Sequence, residues 1–142
     1  MSDDTLPTVT FTITKFRKLT SSHGTCRYTM ALAHGGEVVS LDPATNTITV
    51  KSRDEVQIQF TATGNYLLTG ICFKQTGTGK GDPNGANAFP NVVLSLTKDG
   101  STLTVTDNAG QASSYEFAML VVGIDEQALG LIDPPIVNRP PA

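Results

Sequence analysis

The chain predicts an all-β fold: an antiparallel two-sheet β-sandwich, immunoglobulin-like in architecture. Three observations predict it. Apolar and polar residues alternate with a period of two in segment after segment, as strands with one buried face require. Gly, Asn, Asp and Pro punctuate those segments at short intervals. Almost no stretch carries the 3.6-residue period of a helix. The 142 residues suit a single domain, 1–142, with a sizeable core and a Pro-rich extended tail over 130–142.

Thr8–Phe16 sets Val9, Phe11 and Ile13 against threonines and is the first strand. Met1–Leu6 before it reads as a loose end. After the loop Leu19–Thr25, Cys26–Leu32 places Cys26, Tyr28, Met30 and Leu32 on one face. His34-Gly35-Gly36 turns the chain into a short strand, Glu37–Leu41. Asp42–Asn46 is a turn with Pro43 where its fixed φ is tolerated, and Thr47–Val50 follows, β-branched throughout.

Glu55–Phe73 is the centre of the reading. Val56, Ile58 and Phe60 alternate with Gln57, Gln59 and Thr61, Gly64-Asn65 supplies turn chemistry, and Tyr66–Phe73 returns. The pair predicts a central β-hairpin, with Leu67, Ile71 and Phe73 pointing inward and Cys72 outward. A long Gly-rich loop follows, then Val92–Leu96, a turn at Lys98–Ser101, and Thr102–Thr106. Asp107–Gly110 turns again into Ser114–Val122, which has Tyr115, Phe117, Met119 and Val121 on one face. Asp125–Leu129 predicts a single helical turn, and Ile132–Ala142, with its prolines, an extended segment. The total is roughly seven to nine strands.

Composition excludes several functions. The net charge is −3 with both signs scattered, so no basic block exists to neutralise phosphates or an anionic membrane surface. MSDDTLP lacks the basic start and apolar core of a signal peptide, and no apolar run approaches the roughly 18 residues that span a bilayer. The expectation is a cytoplasmic protein with two free thiols, Cys26 and Cys72; a bridge between them is the less favoured alternative.

Chemistry-bearing motifs are scarce. Lys74–Asn91 contains GTGKG, but Lys74 stands where a phosphate loop needs Gly, and Gly81 where it needs Ser or Thr. Asp82, Asn84 and Asn87 offer oxygens, yet one carboxylate is too few for tight calcium binding. The same three side chains with Phe89 suit a recognition loop, hydrogen-bonding sugar hydroxyls while the ring stacks. A plain connection between sheets, its path fixed by Gly and Pro, is an equal reading. His23 and His34 lie in turns and cannot complete a zinc shell alone. Cys72 has no downstream His, which excludes a blue-copper site. No nucleophile elbow or carboxylate pair is present, so no catalytic residue, metal or cofactor is expected.

The tail Gly130–Ala142, GLIDPPIVNRPPA, is stiffened by proline. It could pack along its own sandwich through Ile132, Ile136 and Val137, dock on a second subunit to give a homo-oligomer, or stay partly ordered. Its closing IDPPIVNRP, Ile132–Pro140, resembles the signature of the DP-EP family of small bacterial proteins. Asp133-Pro134 matches the family's first element, and Arg139-Pro140 stands where the family has Glu-Pro. The resemblance implies a β-rich fold and a bacterial origin, and no catalytic residues, because the family has no established activity. The expected function is therefore non-enzymatic: binding or self-association through the 74–91 loop or the tail. The alternative is a carbohydrate- or calcium-dependent binding module built on Asp82, Asn84, Asn87 and Phe89.

Overall fold

Two β-sheets pack face to face in the computed structural model, which describes residues 6–77, 81–97 and 100–141. The eleven strands among them are β1 (Thr8–Lys18), β2 (Gly24–Ala33), β3 (Val39–Asp42), β4 (Thr47–Val50), β5 (Glu55–Ala62), β6 (Tyr66–Gln75), β7 (Asn91–Thr97), β8 (Gly100–Asn108), β9 (Ser113–Gly123), β10 (Ala128–Ile132) and β11 (Pro135–Asn138). The expected loose end at 1–5, the GTGKG stretch at 78–80 and the Lys98-Asp99 turn lie outside the described residues.

The first sheet runs β2-β1-β5-β8-β7. The second holds β6, β9, β10, β11, β4 and β3, with β6 on one side of β9 and the tail on the other. Most neighbours are antiparallel, but β1 runs parallel to β5 and β11 parallel to β4. Period-2 alternation reports a buried face and not a strand's direction, so these two pairs were invisible in the sequence.

The expected central hairpin does not form. β5 pairs with β1 and β8 in the first sheet, whereas β6 pairs with β9 in the second. Gly64, at φ 70°, carries the chain from one sheet to the other. The strands on either side of the Asp107–Gly110 turn also divide, with β8 in the first sheet and β9 in the second. In each case the turn chemistry is present, but the large apolar side chains on both strands are buried better across the core than beside one another.

A bulge at Thr69 shifts the β6 register. Leu68 is therefore the fully buried residue near the start of β6, in place of Leu67, and Ile71 and Phe73 turn back toward the core. Cys72 is exposed and Cys26 half-buried, and both are free thiols.

The expected helical turn at 125–129 is instead a tight turn that ends in β10, with Gln127 at φ 54°. From there the tail runs along β9 as β10 and then β11. Ile132 faces Met119, and Pro135 faces Glu116, in unbroken register. The ladder is interrupted at Asp133-Pro134 because proline has no N–H; the Pro134 carbonyl still accepts from Phe117 N–H at 3.3 Å.

The core is joined by aromatic rings. Phe11 stacks on Phe60 at 6.0 Å within the first sheet, and Phe60 meets Phe117 of the second at 5.7 Å. Phe60 is about 1% exposed, and truncating it leaves a cavity between the sheets. Phe60→Ala should cost about 3–5 kcal/mol of unfolding free energy in urea titration; a cost below about 1 kcal/mol would refute this packing.

Candidate functional site

The loop after β6 is built around Asp82. Its Oδ1 accepts from Asn87 N–H at 2.8 Å, and its Oδ2 from Ala88 N–H at 2.9 Å and from the Tyr115 hydroxyl at 2.6 Å. The loop is sewn down further: Asp82 N–H donates to Gln75 Oε1, Gln75 N–H to the Pro83 carbonyl, and Asn108 N–H to the Ala88 carbonyl. Burial disfavours the Asp82 charge, but these three donors outweigh it and hold the carboxyl below its ordinary value. Tyr115 is pushed up to about 12 by burial and by the carboxylate it serves.

Phe89 closes the loop from inside. It stacks on Phe73 at 4.0 Å and meets Tyr115 edge-on at 5.0 Å. Gly85 makes this approach feasible. A Cβ there would lie 2.8 Å from Phe73 Cβ and 3.0 Å from the Phe89 ring, and the backbone sits at φ 74°. Asp82 and Phe89 are therefore committed within the loop and present nothing to a ligand. Asn84 caps its own turn through Ala86 N–H and is exposed, as is the Asn87 side chain. The four residues share one loop, but only the two asparagines face outward.

Beside the loop lies an open concavity of about 600 Å³, lined by Arg53, Glu55, Gln75, Asn87, Asn108 and Tyr115, among others. Arg53 Nε donates to the Pro141 carbonyl at 3.1 Å. The lining holds no His or Cys, and Ser113 Oγ donates to the Gln111 carbonyl. It offers amides, one cation and two carboxylates, Glu55 and the internally bonded Asp82, which is hydrogen-bonding chemistry and not a nucleophile with its base. Among the described residues no group of three His, Cys, Asp or Glu side chains is placed to hold a metal ion. His23 instead bonds Ser22 Oγ through Nδ1 at 2.9 Å. No helix among the described residues is long and apolar enough to cross a membrane.

The tail residues are divided by the pleat. Ile132 and Ile136 are fully buried, Pro134 is buried beside β9, and Asp133 and Arg139 are exposed, the latter with its N–H on the Val50 carbonyl. Exchange of this tail between subunits would require breaking its ladder to both β9 and β4.

The tail also buries a polar pair. Asn138 Nδ2 donates to Asp107 Oδ1 at 2.7 Å across the sheets, leaving Asp107 Oδ2 and Asn138 Oδ1 without partners. Both residues are buried. Burial pushes the Asp107 carboxyl up to about 7, against the opposing effect of the Asn138 hydrogen bond.

A surface that the strand pattern did not reveal as exposed lies on β7. Val92, Leu94 and Leu96 face the same side as Val105, Leu103 and Ser101 of β8, which is the core side. Yet they are 39%, 38% and 67% exposed, and Val93 on the other face is 51% exposed. A strand with core-type residues is thus only partly covered among the described residues. The sequence signal was NVVLSLT itself, seven residues without a charge.

No protein-family model matches the chain, and no curated protein matches it. Among solved structures it is similar to the crystal structure of the inclusion body protein PixA from Burkholderia cenocepacia J2315. The similarity has 13% identity and a TM-score of 0.45, and it covers 99% of this chain and 97% of that one.

Two predictions follow from the polar contacts. Asp82→Ala orphans two backbone donors and a buried hydroxyl, and should cost at least about 2 kcal/mol, with faster amide exchange at 87–89; unchanged stability and exchange would show the loop holds without it. For Asp107, the folded carboxyl keeps its proton to about 7, whereas the ordinary value is 3.8. Between these values the folded state binds a proton that the unfolded state has lost. Stability should therefore fall as pH rises from about 4 to about 7, by at most about 1.4 kcal/mol per pH unit, then level off. Asp107→Asn should remove that slope in melting curves taken across the window; a slope that persists would assign it to other groups.

Proposed function

We propose that this chain is a non-enzymatic β-sandwich, immunoglobulin-like in architecture, that works by self-association. The observation that carries this reading is β7: an uncharged edge strand whose core-facing Val92, Leu94 and Leu96 remain 39%, 38% and 67% exposed. Covering such a strip removes apolar area from water, worth about 25 cal/mol per Å² before association costs. A monomer gains nothing from leaving it bare. The rest of the molecule supports a scaffold role, with its loop and tail bonded inward and its concavity lined by hydrogen-bonding groups. The resemblance of Asp133-Pro134 to the DP-EP signature supports a bacterial origin.

The alternative, a carbohydrate- or calcium-dependent module on the 74–91 loop, would have to use Asn84, Asn87 and the concavity's rim. Asp82 and Phe89 are already occupied, and this favours the edge over the loop.

Sedimentation velocity tests the reading. The wild-type mass should rise above 15.0 kDa with concentration. Leu94→Lys, with urea titration confirming that the variant stays folded, should shift that rise to at least tenfold higher concentration. A wild-type protein that stays at the single-chain mass throughout would overturn it.

A further inference from the structure

We infer that the partner of β7 is the β7 strand of a second copy, paired antiparallel about a two-fold axis at Leu94. This inference rests on the self-association reading and specifies its geometry.

The other free edges are guarded or partly occupied: on β10, the bridge of Leu129 to His23 and the Leu129 N–H on the Ser22 carbonyl take up part of the outer edge. On β2, Arg27 stands among exposed residues of the edge. β3 is four residues long and ends at Asp42, followed by Pro43. On β6, the bulge at Thr69 breaks the register and exposed Lys74 lies near its end. Charges, shortness, proline and bulges are the devices that keep sheet edges from joining. β7 carries none of them within its seven residues, although Pro90 precedes it and Lys98-Asp99 follow it in the sequence. It pairs with β8 over seven residues without a register shift, and contains no charge and no proline. The regular, unguarded edge is thus the one that also bears the exposed apolar strip.

The order of residues along β7 makes it complementary to itself. A two-fold axis at Leu94 sets Leu94 against Leu94 of the second copy and Val92 against its Leu96. Val93 then meets Ser95, and Asn91 meets Thr97. Every apolar residue of the core-facing row meets an apolar residue, and no charges are opposed. A parallel pairing would not form a two-fold closed contact of this kind. An isologous contact closes on itself, so assembly stops at two copies with one continuous ten-stranded sheet. The β7 of each copy then supplies hydrogen-bonding groups to the other along the edge that neither could satisfy alone.

Cysteine cross-linking tests the register. In a Cys72→Ser background, Leu94→Cys should give a covalent dimer under mild oxidation. Leu96→Cys should give at least several-fold less, because two Leu96 positions would lie four residues of register apart, roughly 13 Å, beyond disulfide reach. Sedimentation of uncross-linked wild type should stop at twice the chain mass. If wild type self-associates but Leu94→Cys does not cross-link preferentially, the two-fold pairing is overturned while the self-association reading stands. Mass that keeps growing beyond two copies overturns the closed contact. If wild type never leaves the single-chain mass, both fall together. A dimer that forms equally in Leu94→Lys places the interface elsewhere and overturns both assignments to β7.

Discussion

The contact between Phe60 and Phe117 is the one on which the rest depends. It is where a residue of the first sheet meets a residue of the second at the centre of the core. From it a series of rings extends in both directions: Phe11 and Tyr28 on one side, Phe73, Phe89 and Tyr115 on the other. The last three belong to the loop end. The loop is thus held by the same packing that joins the sheets, and Asp82 adds the polar half of that attachment. A long Gly-rich segment is ordered here because each of its parts has somewhere to go. Its ring goes inside, its carboxylate goes to three donors, and its backbone goes to Gln75 and Asn108.

The strands were legible because alternation is a local signal. Val9, Phe11, Ile58, Phe60, Phe117, Met119 and Val121 all fall on the faces that the pattern assigned. Strand partners were not legible, since the same alternation permits a hairpin or a crossing between sheets. The Gly64-Asn65 turn is compatible with either. At the loop, the sequence singled out the right stretch and the wrong use for it. An acidic residue among asparagines looks the same whether it awaits a ligand or its own backbone. Only the Tyr115 hydroxyl, 33 positions away, decides the matter. The exposure of β7 was illegible for a related reason: Val92 and Leu94 have core character, and nothing local says that they are only partly covered.

The polar pair inside the sandwich has a different character from the loop. Asp82 is buried with three donors, which hold its carboxyl below the ordinary value; Asp107 is buried with one, and its carboxyl is pushed up to about 7. The same residue type in one core is shifted in opposite directions by the number of hydrogens pointed at it. The pair also ties the tail to β8 across the core, so its protonation bears on how firmly the last strand is seated.

The position of β11 has a consequence for how the chain assembles. β11 lies between β9 and β4, and β4 with β3 is hydrogen-bonded to the remainder of that sheet through it. It is nevertheless supplied after every other strand in chain order. During synthesis the β3–β4 hairpin must wait, with an open slot beside it, until residue 138 has emerged. The contacts made on closure are among the most distant in the chain, joining Ile48 to Ile136. Such closures are slow because a long loop must be ordered before any contact repays it. The edge of β4 therefore stays bare from residue 50 until residue 138 has been made, a window in which it is open to chaperones and to strand capture by its neighbours.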